Sequence, residues 1–100
     1  METDLKRYRL RKKMLRDRYR MTPDAYNRLV LEQNGLCAIC GCEETRKAAS
    51  GEPRLLSVDH NHTTHAVRGL LCAECNAGLG SFRDSPARLR AAALYLERQP

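Results

Sequence analysis

The chain has 100 residues, 30% of them charged, with no Trp, one Phe and four Tyr. That is enough for one domain but too poor in large apolar side chains to rest on packing alone, so a metal, a disulfide or a partner subunit is expected to help. No window approaches the roughly eighteen apolar residues of a membrane span, and the first residues are charged where a secretion signal would be apolar, which argues for the cytosol.

The formal charge of +6 sits at one end. Residues 1–20 hold nine Lys or Arg against three acids, whereas residues 21–100 hold nine of each. On a helical wheel Lys6, Arg9, Lys13, Arg16 and Arg20 recur at spacings of three and four and share a face. Leu5, Tyr8, Leu15 and Tyr19 line an adjacent apolar face, with Leu10, Met14 and Met21 roughly opposite. Two apolar stripes allow such a helix to pack on its own domain and on a partner, so a homodimer through this helix is one expectation, although Lys12 interrupts the seam. The basic face reads either as a solvated surface or as a grip on a phosphate backbone.

Thr22, Pro23 and Asp24 read as the N-cap and first turn of a second helix, which Asn34-Gly35 would stop. Tyr26, Leu29 and Val30 would be its buried face. "LCAICG" follows as a tight knuckle, and "EETRKAASGEPR" as a polar loop. "LLSVD" reads as a strand, "NHTTH" as a turn and "AVRG" as the returning strand. Leu70 to Leu79 are then expected to be helical. A last helix starts at Ser85 with Pro86 just inside it, and Leu89, Ala93 and Leu96 form its expected packing face. The predicted organisation is a basic helix over 1–20, a core over 21–82 and a carboxy-terminal helix over 83–100.

Cys37 and Cys40 form one Cys-x-x-Cys pair and Cys72 and Cys75 another, with thirty-one residues between them. In a reducing compartment two such pairs point to tetrahedral Zn²⁺ on four thiolates. Four sulfurs leave no open position, so this zinc would serve folding and not chemistry. Cys42 could compete as a ligand, but the paired set is complete without it and a free thiol is expected.

A second cluster gathers Asp59, His60, Asn61, His62, His65 and Asn76. Carboxylate and amide oxygens suit a hard ion, Mg²⁺ or Mn²⁺. A neutral imidazole beside them suits general-base activation of water. Asn76 directly follows Cys75, so the zinc knuckle would fix its position. Taken singly these are also ordinary turn residues, and His65 and Asn61 fit that reading best.

The order of a Cys-x-x-Cys knuckle, "VDHNH" and "VRGLLCAECNAGLG" resembles the recombination endonuclease VII family of phage and bacterial HNH nucleases, across roughly Met21 to Gly80. The resemblance implies an α+β fold, a small zinc-stabilised ββα-metal (HNH, His-Me finger) core with flanking helices. It implies Asp59 and Asn76 as ligands of a catalytic Mg²⁺ or Mn²⁺, His60 as general base, and His62 as a second active-site histidine on the phosphate or the leaving side. It implies structural Zn²⁺ on Cys37, Cys40, Cys72 and Cys75. The residue between the two histidines is often Asp in the family and is Asn61 here, which removes a negative charge. Arg68 reads equally as a phosphate clamp and as a structural residue. The expected activity is divalent-metal-dependent hydrolysis of DNA phosphodiester bonds, on branched DNA or more generally. The alternative is a non-catalytic zinc-stabilised module that binds nucleic acid. The expected location is the cytoplasm, that of the host for a phage-encoded member.

Overall fold

The computed structural model describes residues 12, 13, 15, 16, 21–52 and 54–98. The fold is α+β, with three helices and one two-stranded antiparallel sheet among these residues. Helix α1 spans Pro23–Glu32, strands β1 and β2 span Ser57–His60 and Val67–Leu71, and helices α2 and α3 span Ala73–Ser81 and Pro86–Glu97. None of the described helices is long and apolar enough to cross a membrane.

Helix α1 begins as its sequence dictates. The Thr22 hydroxyl accepts from the Ala25 N–H at 3.1 Å, and Pro23 occupies the first turn, where no partner for its nitrogen is needed. It ends in a Schellman turn: the Gly35 N–H reaches the Val30 carbonyl at 2.8 Å and the Asn34 N–H that of Leu31 at 3.2 Å. Asn34 and Gly35 take the required left-handed conformation, φ 55° and 71°. Tyr26 is buried and its hydroxyl donates to the Leu56 carbonyl at 2.7 Å, tying α1 to the chain entering β1. Leu29 and Val30 are partly buried against the same core.

That core is small: Leu15, Tyr26, Leu56, Val58, Leu70 and Leu71, joined by Cys37 and Cys72. Only Leu15 and Leu70 have fully buried large side chains among the described residues. Leu15 therefore anchors the amino-terminal segment in the domain, while Lys12, Lys13 and Arg16 are helical and exposed. The Met21 N–H donates to the Leu15 carbonyl at 3.0 Å, which fixes the turn into α1. Lys6, Arg9 and Arg20 lie outside the described residues, as do Leu5, Tyr8 and Tyr19 of the expected dimer seam, whereas Leu15 of that seam is taken up by the domain's own core.

Two expectations need correction. Leu70 and Leu71 continue β2 instead of opening a helix, because they pair with Val58 and Ser57, and α2 begins only after Cys72 caps it. The expected face of α3 does not pack as predicted: Ala93 is exposed, Leu96 is 70% exposed and only Leu89 is half-buried. Ser85 caps α3 as expected, its hydroxyl accepting from the Arg88 N–H at 3.2 Å, but Leu94, Tyr95 and Leu96 are exposed.

A side chain that the sequence pattern did not single out holds β2 in place. The Gln33 amide oxygen accepts from the Leu70 N–H at 2.9 Å, and its nitrogen donates to the carbonyls of Leu70 and Leu36 at 2.9 and 2.8 Å. The approach is close enough that a Cβ on Gly69 would lie 3.2 Å from the Gln33 Oε1. Glycine at 69 is thus a packing requirement.

Candidate metal centre and hairpin site

The four cysteines of the two knuckles converge from opposite sides of the hairpin. Cys37 and Cys40 arrive on the turn after α1, and Cys72 and Cys75 on the start of α2. Their sulfurs all lie within 4.8 Å of one another, and those of Cys40 and Cys72 are 3.8 Å apart. A tetrahedral zinc–tetrathiolate centre with Zn–S of about 2.3 Å separates its sulfurs by about 3.8 Å, so the cluster can hold a zinc ion with little movement.

The knuckles also supply N–H groups to sulfur. Ile39 donates to the Cys37 Sγ at 3.4 Å and Cys75 to the Cys72 Sγ at 3.4 Å. Burial pushes the Cys37 thiol up, but the backbone donors of Cys72, Cys40 and Ile39 together outweigh it and lower it to about 6. Cys75 is pushed up to about 12 by burial first and then by its neighbouring thiols. Four thiolates cannot crowd together without a cation, and a divalent ion supplies the missing charge. Cys42 is exposed and outside the cluster, a free thiol as expected.

Glu44, not anticipated from sequence, completes the start of α2. Its two carboxylate oxygens accept from the N–H groups of Arg46 at 3.0 Å and Ala73 at 2.6 Å. The Arg46 N–H first, with that of Ala73, holds the Glu44 carboxyl below its ordinary 4.5. A carboxylate at a helix N-terminus also complements the helix dipole.

On the other side of the hairpin lies the Asp59 cluster. The register pairs Asp59 with Gly69 and His60 with Val67, so Arg68 is the extra residue of a β-bulge. Bulges re-aim side chains, and this one brings the Arg68 guanidinium onto the Asp59 carboxylate. Nε donates to Oδ2 at 2.8 Å and Nη2 to Oδ1 at 3.0 Å, a two-pronged charge-assisted pair. Those bonds to Asp59, followed by one to Asp84, raise the Arg68 pKa above its ordinary value and keep it charged. Arg68 thus lies within β2, and in this structure it acts as a structural partner.

Asp84, on the turn after α2, was missed. Its Oδ2 lies 3.0 Å from the His62 Nε2 and 3.4 Å from the Arg68 Nη2. The His60 and His62 rings are 5.0 Å apart, centre to centre, at a tilt of 53°. Polar contacts therefore run from His62 to Asp84, Arg68 and Asp59, with the His60 ring beside that of His62. His62, Arg68 and Asp84 border an open cleft of about 560 Å³ to which Asn61, Thr63, Gly80 and Arg83 also contribute; Asp59, His60 and Asn76 do not line it. His60 is half-buried at the end of β1, whereas the His62 side chain is 70% exposed.

Asn61 organises the turn. Its side-chain oxygen accepts from the N–H groups of Thr63 and Thr64 at 2.8 and 2.9 Å, and its carbonyl accepts from His65 at 2.7 Å. His65 itself is exposed with φ 63°, in keeping with a turn role. Asn76 is exposed on α2, one residue beyond Cys75. The hard-oxygen donors Asp59 and Asn76 suit Mg²⁺ or Mn²⁺ by their chemistry, but both oxygens of Asp59 are engaged by Arg68.

Comparison with known proteins follows the same residues. The chain matches recombination endonuclease VII over residues 12–98, a span that includes both knuckles, the hairpin and all three helices. The Gene 59 proteins of Mycobacterium phages D29 and L5 are each 41% identical to it over 83 residues. That stretch covers 82% of this chain and 47% of each relative, so the chain spans about half the length of the curated relatives it matches. No solved structure matches it. With a four-cysteine cluster, a charged hairpin and a family match along nearly its full length, this chain belongs to the recombination endonuclease VII family.

Proposed function

We propose that the chain is a DNA endonuclease of the HNH (ββα-metal) type that hydrolyses phosphodiester bonds with a divalent ion. The observation that carries this reading is the Asp59-His60 pair at the end of β1, on a hairpin that runs through a bulge directly into the Cys72-capped helix bearing Asn76. Asp59 and Asn76 would hold Mg²⁺ or Mn²⁺, which when bound supplies charge neutralisation at the phosphoryl and departing oxygens. His60 takes the proton from the attacking water at an imidazole nitrogen. His62 serves the phosphate or the leaving side. Lys6, Arg9, Lys13, Arg16 and Arg20 grip the backbone without regard to sequence, and a homodimer through that helix would present two sites to two strands. Branched DNA, including four-way junctions, is the proposed substrate class beyond plain duplex. The cytoplasm, that of the host for a phage-encoded chain, is the matching location.

One observation favours a second reading, a zinc-stabilised nucleic-acid-binding module without turnover: Arg68 occupies both oxygens of Asp59. Cleavage of plasmid and of a synthetic four-way junction, with Mg²⁺ or Mn²⁺ and without either, separates the two. The nuclease reading expects metal-dependent cutting that His60→Ala abolishes with zinc still bound. Binding without cutting on every substrate would establish the second.

A further inference from the structure

Helices α1 and α2 end in the same Schellman geometry, and the two turns differ in a way that points to Asp84. After α2, the Asp84 N–H reaches the Leu79 carbonyl at 2.8 Å and the Arg83 N–H that of Gly80 at 2.9 Å. These are the counterparts of the two bonds that close α1. In the α1 turn the two left-handed positions are Asn34 and Gly35, residue types that adopt that conformation readily. In the α2 turn they are Arg83 and Asp84, with φ 55° and 52°; Asp tolerates that conformation much as Asn does, so the steric cost falls mainly on Arg83.

A fold that uses Asn-Gly for one turn could use it for the other. It instead places Arg83 in a backbone region uncommon for its type, directly before Asp84, and such an outlier persists where a side chain is needed. What Asp84 does with its placement is visible: it holds His62 through Nε2 at 3.0 Å and Arg68 through Nη2 at 3.4 Å, both at the rim of the cleft.

We propose that Asp84 is a positioning residue of the nuclease site, orienting His62 through its Nε2 and keeping Arg68 at the cleft, and that the left-handed turn after α2 delivers it there. The proposal rests on the nuclease reading above. A carboxylate accepting from the Nε2–H of a histidine fixes the tautomer and the ring, leaving Nδ1 unprotonated, an acceptor for the hydrogen of a water or hydroxyl in the site. Asp84 itself need not touch the reacting atoms. Arg68 is held from two sides, so the same carboxylate retains it at the rim when Asp59 takes another cation.

The test uses the zinc-loaded full chain and the variants Asp84→Gly and Asp84→Asn. Glycine relieves the backbone while removing the carboxylate, and asparagine keeps the left-handed conformation and a neutral acceptor. Plasmid nicking should show kcat reduced roughly 10- to 100-fold in Asp84→Gly with KM little changed, and partly restored in Asp84→Asn. The melting temperature of Asp84→Gly should equal or exceed that of the parent. Nitrogen NMR of the His62 ring at about pH 8 should show a single Nε2–H tautomer in the parent and a mixture in Asp84→Gly. A lowered melting temperature would make the turn purely structural and overturn the proposal, as would unchanged kcat or an unchanged His62 spectrum. A parent chain that does not cut DNA would reject the nuclease reading instead, and the ring spectra would still decide whether Asp84 orients His62.

Discussion

Replacing Arg68 with alanine separates the two tasks its position combines. Asp59 is only 12% exposed in its side chain and its two oxygens accept from Arg68 at 2.8 and 3.0 Å, while the Arg68 side chain is 39% exposed. Truncating one member of a fully buried pair costs about 3–5 kcal/mol, and exposed pairs are worth about 0–1. With one partner buried and the other partly in water, Arg68→Ala should cost about 1.5–3 kcal/mol, or roughly 6–24 °C of melting temperature for a domain of this size. The assay is a circular-dichroism melt of zinc-loaded protein in buffer free of Mg²⁺ and Mn²⁺, repeated during a Mn²⁺ titration. A cation that ligates Asp59 must first dislodge Arg68 in the parent but not in the variant, so a given Mn²⁺ concentration should raise the variant's melting temperature more. An unchanged melting temperature in divalent-free buffer would refute the claim that the pair holds the hairpin. Equal gains from Mn²⁺ in parent and variant would refute Asp59 as the ion's ligand.

Gln33→Leu leaves the Leu70 N–H without its partner and should cost about 1–3 kcal/mol by urea titration, because the Leu70 carbonyl keeps the Ala38 N–H at 3.1 Å but the N–H has no substitute. Cys40→Ser should abolish tight zinc binding and the cooperative melt together, since a structural zinc supplies about 10–16 kcal/mol, as much as a small domain's whole stability; a variant that still melts cooperatively without zinc would contradict this. Glu44→Gln tests linkage at the α2 cap. The Glu44 carboxyl is held below 4.5 when folded, so its stabilisation is complete above that value and disappears as pH falls through the lower folded one. The stability gap between parent and Glu44→Gln should therefore close on acidification, and a gap that widens toward low pH would reverse the assignment.

Much of the frame was legible because it is written in local chemistry. Thr22-Pro23 and Ser85-Pro86 start helices, Asn34-Gly35 ends one, and Cys-x-x-Cys spacing alone brought four sulfurs together. What escaped depended on long-range geometry. Arg68 reaches Asp59 only because a bulge adds a residue to β2, and nothing in "AVRG" marks that insertion. Asp84 lies far from the hairpin turn in sequence and meets His62 only once α2 has closed with two left-handed residues. Gln33 looked like the polar end of a helix, yet it bonds to Leu70, thirty-seven residues away. The α3 face failed for the opposite reason: Leu89, Ala93 and Leu96 have helical periodicity, but periodicity cannot say whether a partner surface is there to receive them.

The Gln33 amide has a consequence for how this small sheet meets other molecules. A two-stranded hairpin ordinarily offers its outer rung to any extended segment that can add a third strand, whether from another copy or from a foreign chain. At Leu70 that rung is filled, with Gln33 on the N–H and both Gln33 and Ala38 on the carbonyl. A side chain stands where the next strand would lie. Sheet extension through Leu70 is closed, so a strand from a second copy or from a foreign chain cannot be added to β2 at this rung.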